Sequence, residues 1–269
     1  MTMVTDLAEH LAGLGSALLG YSGGVDSALL AVVGRRALPP GHFLAVIGQS
    51  ESYPVAQYET ALEIARRFEV PLLEVETAEL DDPAYRANGT ERCYYCKREL
   101  WTRLGRLKEM RGFAAVIDGT NAEDLSDHRP GLRAATEHRV RSPLAELGWS
   151  KATVREAARA LGLPNWDAPA SPCLSSRIQY GLPVTADRLR QVEAAEAWLR
   201  GVGVTGNLRV RHRGPLASVE VDPDMRAVIE ARWDELCARL MSLGFVTVEL
   251  DPRGYRRGAL LPAFPEVEP

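Results

Sequence analysis

Short apolar runs alternate with longer stretches of helical period through the first two thirds of the chain. Ala17-Leu18-Leu19-Gly20-Tyr21 ends at Ser22-Gly23-Gly24, and a helix is predicted from about Asp26 to Arg36. Phe43-Leu44-Ala45-Val46-Ile47 precedes a periodic segment over 54–68, and Pro71-Leu72-Leu73-Glu74-Val75 follows it. A helix over 97–110 leads to Ala114-Ala115-Val116-Ile117, and Val140 marks a short fifth strand. Ser150 is a good N-cap for a helix over 151–161. Short strands alternating with helices predict βαβ units, hence an α/β protein with a parallel sheet. Ligands of such sheets sit beyond the carboxyl ends of the strands. Ser22, Ser50 and Gly119 fall there.

After about residue 183 the period changes. A helix over 186–199 is followed by two strands of strict alternation, with Arg209, Arg211 and Arg213 on one face and Val210 and His212 on the other. Gly214-Pro215 is the predicted hairpin centre, which sets Arg211 opposite Ser218 and Arg209 opposite Glu220. A helix over 226–243 and a strand over 245–250 complete a small α+β domain. The boundary is expected at Gly181–Pro183. The arginine face reads either as a solvated salt ladder or as a site for a substrate phosphate or carboxylate, which Arg binds bidentately.

Composition narrows the field. The chain has 269 residues, 46% hydrophobic and 25% charged, enough to bury a core and too apolar to be disordered. The net charge of −4 argues against a whole-surface field for nucleic acid. No apolar run approaches a membrane span, and Asp6 and Glu9 precede the first apolar stretch, unlike a signal peptide. The four cysteines therefore read as thiols of a reduced, cytoplasmic protein. A homo-oligomer is expected.

Ser22-Gly23-Gly24-Val25-Asp26-Ser27 joins the first strand to its helix. Its glycines permit a tight turn, and the unpaired amides of the next helical turn carry the positive end of the helix dipole. Together they form an anion cradle suited to phosphate. Asp26 offers an oxygen ligand to Mg²⁺. The hexapeptide resembles the SGGxDS signature of the PP-loop ATP pyrophosphatases, although Ala28 stands where those proteins usually carry Ser or Thr. The resemblance implies a Rossmann-like PP-loop sheet with helices on both faces over 1–182. It also implies ATP binding by Ser22–Ser27, chemistry at the α-phosphate, and a second nucleotide-facing loop at Gly119-Thr120-Asn121. By analogy of position, residues 47–50 flank the adenine. The 183–269 segment is expected to bind the substrate phosphate, to mediate self-association, or both.

Cys173 lies in Ala170-Ser171-Pro172-Cys173-Leu174-Ser175-Ser176-Arg177, where Pro172 and the preceding Pro169 argue for a loop. A thiol beside Arg177 is expected to ionise more readily. Gly119–Asp124, Asp127-His128-Arg129-Pro130-Gly131, Arg141-Ser142-Pro143-Leu144, the Cys173 segment and Gly254-Tyr255-Arg256-Arg257-Gly258 occur in this order. The series is similar to the LarE family of ATP-dependent sulfur transferases, over about residues 15–258. That resemblance implies a pyridinium-3,5-biscarboxylic acid mononucleotide as substrate, adenylation of a ring carboxylate by ATP, and attack by Cys173. Substrate contacts are expected from Arg177, Arg209 and Arg211. Either Cys173 surrenders its own sulfur, or Cys93, Cys96 and Cys173 hold a [4Fe-4S] cluster that carries it. The Cys93–Cys96 pair also admits a zinc or a redox reading. A tRNA thiolase and a non-catalytic adenine-nucleotide sensor with a structural zinc are the competing functions.

Overall fold

The computed structural model describes residues 2–125, 130–169 and 172–256. Asp127, His128, Arg129, Ala170, Ser171, Arg257 and Gly258, which belong to the motifs quoted above, lie outside them. The chain divides into two compact units. One comprises Met1–Tyr85 with Glu91–Ser171, the other Arg86–Thr90 with Pro172–Pro269. The division thus falls at Ser171, upstream of the Gly181–Pro183 segment, and a pentapeptide from the first half of the chain belongs to the second unit.

The first unit opens with α1 (Thr2–Ala12), then β1 (Ala17–Gly20), α2 (Val25–Ala37), β2 (Phe43–Gln49), α3 (Val55–Arg67) and β3 (Leu72–Glu76). The four-residue helix α4 (Pro83–Arg86) spans the first crossing between units. The rest of the first unit is α5 (Arg92–Arg111), β4 (Ala115–Ile117), α6 (Pro130–Glu137), α7 (Pro143–Glu146) and α8 (Lys151–Ala160). Four parallel strands lie in the order β3-β2-β1-β4. Their side chains sort by the two-residue period of a strand. Ala17, Leu19, Ala45, Ile47 and Ile117 face a core shared with α1, α2, α3 and α8. Leu18, Leu44, Val46 and Val116 face Trp101 and Leu104 of α5 and Ala134 and Ala135 of α6. Both faces are therefore covered, as an all-parallel sheet requires. The short strand expected at Val140 is a single bridge, Ile117 to Arg141. Helix α5 starts at Arg92 rather than Lys97, which puts Cys93 and Cys96 within its first two turns.

The second unit holds α9 (Ala186–Gly201), β5 (Leu208–Arg213), β6 (Leu216–Val221), α10 (Arg226–Glu230), α11 (Trp233–Ser242) and β7 (Thr247–Leu250). β5 and β6 form the antiparallel hairpin turned at Gly214-Pro215, and β7 joins β6 in parallel. Leu208, Val210, Val219 and Val221 pack on Ala195 and Leu199 of α9 and on Leu236 and Leu240 of α11. The single helix expected over 226–243 is broken between Glu230 and Trp233, where Arg232 leaves helical geometry at φ −122° and ψ 24°.

Candidate active site

β1 has β2 on one side and β4 on the other, so the sheet changes winding direction at β1 and opens a crevice beyond the carboxyl ends of β1 and β4. The Ser22–Ser27 loop fills one wall. Gly23 has φ +68°, and a Cβ there would sit 2.6 Å from the Cβ of Ala61, so the turn requires glycine. Gly24 is the N-cap of α2 and supplies no side-chain cap, which leaves the first-turn amides of a 13-residue helix for another acceptor. Ser27 ties the loop internally: its hydroxyl accepts the Ser22 amide at 3.2 Å and donates to the Gly24 carbonyl at 3.1 Å.

The opposite wall is the Gly119-Thr120-Asn121 loop after β4. Asp118 fixes it by accepting the Thr120 amide at 3.0 Å, the Thr120 hydroxyl at 2.9 Å and the Ser142 hydroxyl at 2.8 Å. A Cβ at Gly119 would lie 3.0 Å from the Ser27 amide nitrogen and 3.2 Å from the Asp26 Cβ, so the two walls meet closely. Asn121, 3% exposed, joins them by donating from Nδ2 to Oδ1 of Asp26 at 3.2 Å. The sequence-derived loops are thus brought together by a direct hydrogen bond.

Four further residues that hold the Ser22–Ser27 loop were not singled out from sequence. Lys151 places its Nζ on Oδ2 of Asp26. Its position carried a signal, since a cation in the first turn of a helix opposes the helix dipole and needs an anion close by. Tyr53 and Gln57 donate to the Ser22 carbonyl at 2.9 and 2.7 Å, and Asn165 donates to the Gly23 carbonyl at 2.8 Å. These contacts link distant positions and leave no periodic trace. Burial raises the ionisation of the Tyr53 phenol well above the usual tyrosine range, helped by the neighbouring Tyr21 and Tyr58 phenols.

Beside the loop, a cavity of about 470 Å³ is lined by Gln49, Ser50, Tyr53, Tyr58, Glu76 and Thr77, among others. Of the 47–50 segment, Gln49 and Ser50 reach this cavity, whereas Ile47 is 1% exposed in the core. Cys93 is exposed and Cys96 half-buried, one helical turn apart on α5.

In the second unit, Cys173 caps a 3-10 turn over Leu174–Arg177 and is half-buried. Its carbonyl accepts the Ser176 amide at 3.0 Å, the Ser176 hydroxyl at 2.7 Å and Nη1 of Arg177 at 3.0 Å. Arg177 also donates to the Pro172 carbonyl and binds Glu196 through two nitrogens at 3.0 and 3.1 Å. The guanidinium thus holds the backbone around the thiol.

The arginine face has the expected register, Arg209 against Glu220 and Arg211 against Ser218, but it is not a solvated ladder. Arg209, Arg211, Ser218 and Glu220 are 5%, 6%, 0% and 0% exposed. The ion pair runs diagonally, from Arg211 to Glu220 at 2.9 Å, and Arg211 also donates to the Ser176 carbonyl at 3.0 Å. Arg209 stacks over the Tyr255 ring, 5.3 Å from its centroid. Burial, with the nearby Arg177 charge, pulls the Arg209 ionisation down to about 10. Glu220 Oε1 and the Ser218 hydroxyl have no hydrogen-bond partner. Two unspent polar atoms and two buried guanidinia thus share one face of the hairpin.

Residues 4–94 match the NAD synthase family model. The chain is 41% identical over 257 residues to an uncharacterised protein of Synechocystis, each covered to 95%. It is 33% identical over 259 residues to the pyridinium-3,5-bisthiocarboxylic acid mononucleotide synthase of Lactiplantibacillus plantarum, covering 96% of this chain and 94% of that one. The chain belongs to the LarE family of PP-loop sulfur transferases. An uncharacterised protein of Methanocaldococcus jannaschii is 28% identical over 239 residues, covering 89% of this chain and 90% of that one.

Asp26 is a hard oxygen donor beside the loop amides and suits Mg²⁺ carried by a nucleotide. Cys93, Cys96 and Cys173 are soft donors suited to iron and sulfur, with the first two in one unit and the third in the other. Among the described residues no three His, Cys, Asp or Glu side chains are gathered as a metal site. No helix of the described residues is long and apolar enough to cross a membrane.

Proposed function

We propose that this LarE-family enzyme uses ATP to convert a pyridinium-3,5-biscarboxylic acid mononucleotide to its thiocarboxylate. The observation that carries the reading is the amide-lined loop of α2 closed against the Gly119 loop, with Asp26 and Lys151 between them. The first-turn amides of α2 and the Lys151 ammonium receive the β- and γ-phosphates. The neighbouring cavity takes the adenine. Mg²⁺, held by Asp26 and phosphate oxygens, would supply charge neutralisation on the departing pyrophosphate.

A ring carboxylate oxygen attacks the α-phosphorus, the bond to the bridging oxygen breaks, and pyrophosphate leaves. The acyl-adenylate is a competent electrophile where the carboxylate was not. The Cys173 thiolate attacks its carbonyl carbon, AMP leaves, and a thioester joins protein and substrate. If Cys173 is itself the sulfur donor, loss of its Cα proton and cleavage of Cβ–Sγ release the thiocarboxylate and leave dehydroalanine. Alternatively, Cys93, Cys96 and Cys173 would hold a [4Fe-4S] cluster that supplies the transferred sulfur. Arg177 fixes the Cys173 backbone, and the substrate phosphate is assigned to Arg209 and Arg211.

The test is intact mass and pyrophosphate release after incubation with ATP, Mg²⁺ and the pyridinium substrate. A loss of ~34 Da, the mass of hydrogen sulfide, assigns the sulfur to Cys173. Repeated turnover at unchanged mass, dependent on Cys93 and Cys96 and on supplied sulfide, assigns it to a cluster. No substrate-dependent pyrophosphate release overturns the reading.

A further inference from the structure

The three carbonyls of Ser22, Gly23 and Gly24 are each engaged by a donor of the protein. Ser22 accepts from the Tyr53 hydroxyl and the Gln57 carboxamide. Gly23 accepts from the Asn165 carboxamide. Gly24 accepts the Ala28 amide at 2.9 Å and the Ser27 hydroxyl. The donors come from three separate places: the start of α3, the segment after α8, and α2 itself.

Both carboxamides use only their donor ends. Oδ1 of Asn165 and Oε1 of Gln57 are buried without a hydrogen-bond partner. A buried acceptor left unmet is costly, so these side chains are not placed to satisfy themselves. What the placement does is fix the carbonyls. In a planar trans peptide, the carbonyl of one residue and the amide of the next point in opposite directions. Drawing the Ser22 and Gly23 carbonyls outward therefore turns the Gly23 and Gly24 amides the other way. A carbonyl facing a phosphate repels it, whereas an amide binds it. Two glycines in succession leave these planes free to flip unless something holds them.

We propose that Asn165, Gln57 and Tyr53 are positioning residues that hold the peptide planes of the PP-loop in the anion-receiving orientation. This rests on the reading of the loop as the ATP phosphate site.

The experiment uses the full chain and two variants. Asn165→Leu removes the donor without adding charge, and Tyr53→Phe removes one hydroxyl. Inorganic pyrophosphate affinity is measured by calorimetry, with KM for ATP, kcat at saturating ATP and the melting temperature alongside. Asn165→Leu is expected to weaken pyrophosphate about tenfold, and Tyr53→Phe about threefold because Gln57 still holds the Ser22 carbonyl. KM for ATP rises in parallel, while kcat stays within about threefold and the melting temperature within about 4 °C. Wild type that binds neither pyrophosphate nor ATP sinks the ATP reading itself. Wild type that binds them, with both variants equally tight, overturns the clamp alone. Affinity lost only in step with melting temperature, or a fall in kcat at unchanged KM, also overturns it, making Asn165 a packing residue. Should Asn165→Leu not fold, Tyr53→Phe decides by the same criteria.

Discussion

The Lys151 ammonium rests on the Asp26 carboxylate, joining the first turns of two helices 125 positions apart in the chain. Each side chain keeps some exposure, 31% for Lys151 and 19% for Asp26. The pair is therefore worth little to folding, about 0–1 kcal/mol. Its weight lies in the charge it presents beside the loop amides. Lys151→Met should leave the melting temperature nearly unchanged and raise KM for ATP about tenfold or more. Steady-state pyrophosphate release checks this, and an unaltered KM would remove Lys151 from the site.

Asp26→Ala should abolish substrate-dependent pyrophosphate release, since it removes the partner of both Lys151 and Asn121. Circular dichroism should show the fold retained. Normal release by this variant refutes the loop assignment.

Gly119→Ala tests how closely the walls must meet. The added methyl would stand 3.0 Å from the Ser27 amide nitrogen, so one wall must move by a few tenths of an ångström. Overpacking of this kind costs about 1–3 kcal/mol. ATP affinity should fall with it, and wild-type ATP affinity in this variant would show that the gap has slack.

Arg211→Ala strands Glu220, which is 0% exposed, as an uncompensated buried charge. Breaking such a pair from one side costs about 3–5 kcal/mol. Urea unfolding should report that loss before any substrate effect can be read. Arg209→Ala leaves the Arg211–Glu220 pair in place and is the cleaner probe of substrate phosphate binding. Unchanged substrate affinity there would make the arginine face structural.

His212 gives a pH signature. It is 4% exposed beside Phe245, with Nε2 on Gln191, and burial, aided by the Arg188 charge, pulls its ionisation down to about 4. The unfolded chain takes the proton near 6.5 and the folded one near 4, so the stabilisation is present above 6.5 and drains as pH falls toward 4. It amounts to about 3 kcal/mol. Denaturation of wild type and His212→Gln at pH 7 and pH 5 checks it. The variant should lose less stability over that interval, and equal losses would exclude His212 as the source.

Periodic information carried far. The four parallel strands, α2, α3, α8 with its Ser150 cap, and the β5–β6 hairpin all follow from apolar spacing and turn residues. Helix α1 had the spacing too, since Leu7 and Leu11 lie one turn apart and are fully buried. The break between α10 and α11 has no glycine or proline to announce it. The loop itself was legible because its residues are consecutive. Its supports were not, because Asn165 meets Gly23 across 142 positions and Gln57 meets Ser22 across 35. The arginine strand misled for a different reason. Alternation tells which side chains share a face, but not whether that face meets water or a second polar layer from the same unit.

The pentapeptide Arg86–Thr90 belongs with residues made much later. Asn88 is fully buried and donates to the carbonyls of Gln179 and Leu182 at 2.9 and 2.8 Å. The amide of Val184 returns a bond to the Arg86 carbonyl at 2.9 Å. During synthesis this short segment leaves the ribosome long before its partners exist, and at ~5–20 residues per second it waits several seconds for them. No single cut in the chain yields both units whole. A fragment ending before Pro172 keeps a peptide that has lost its bonds to Gln179, Leu182 and Val184, and one starting at Pro172 lacks the piece that makes them.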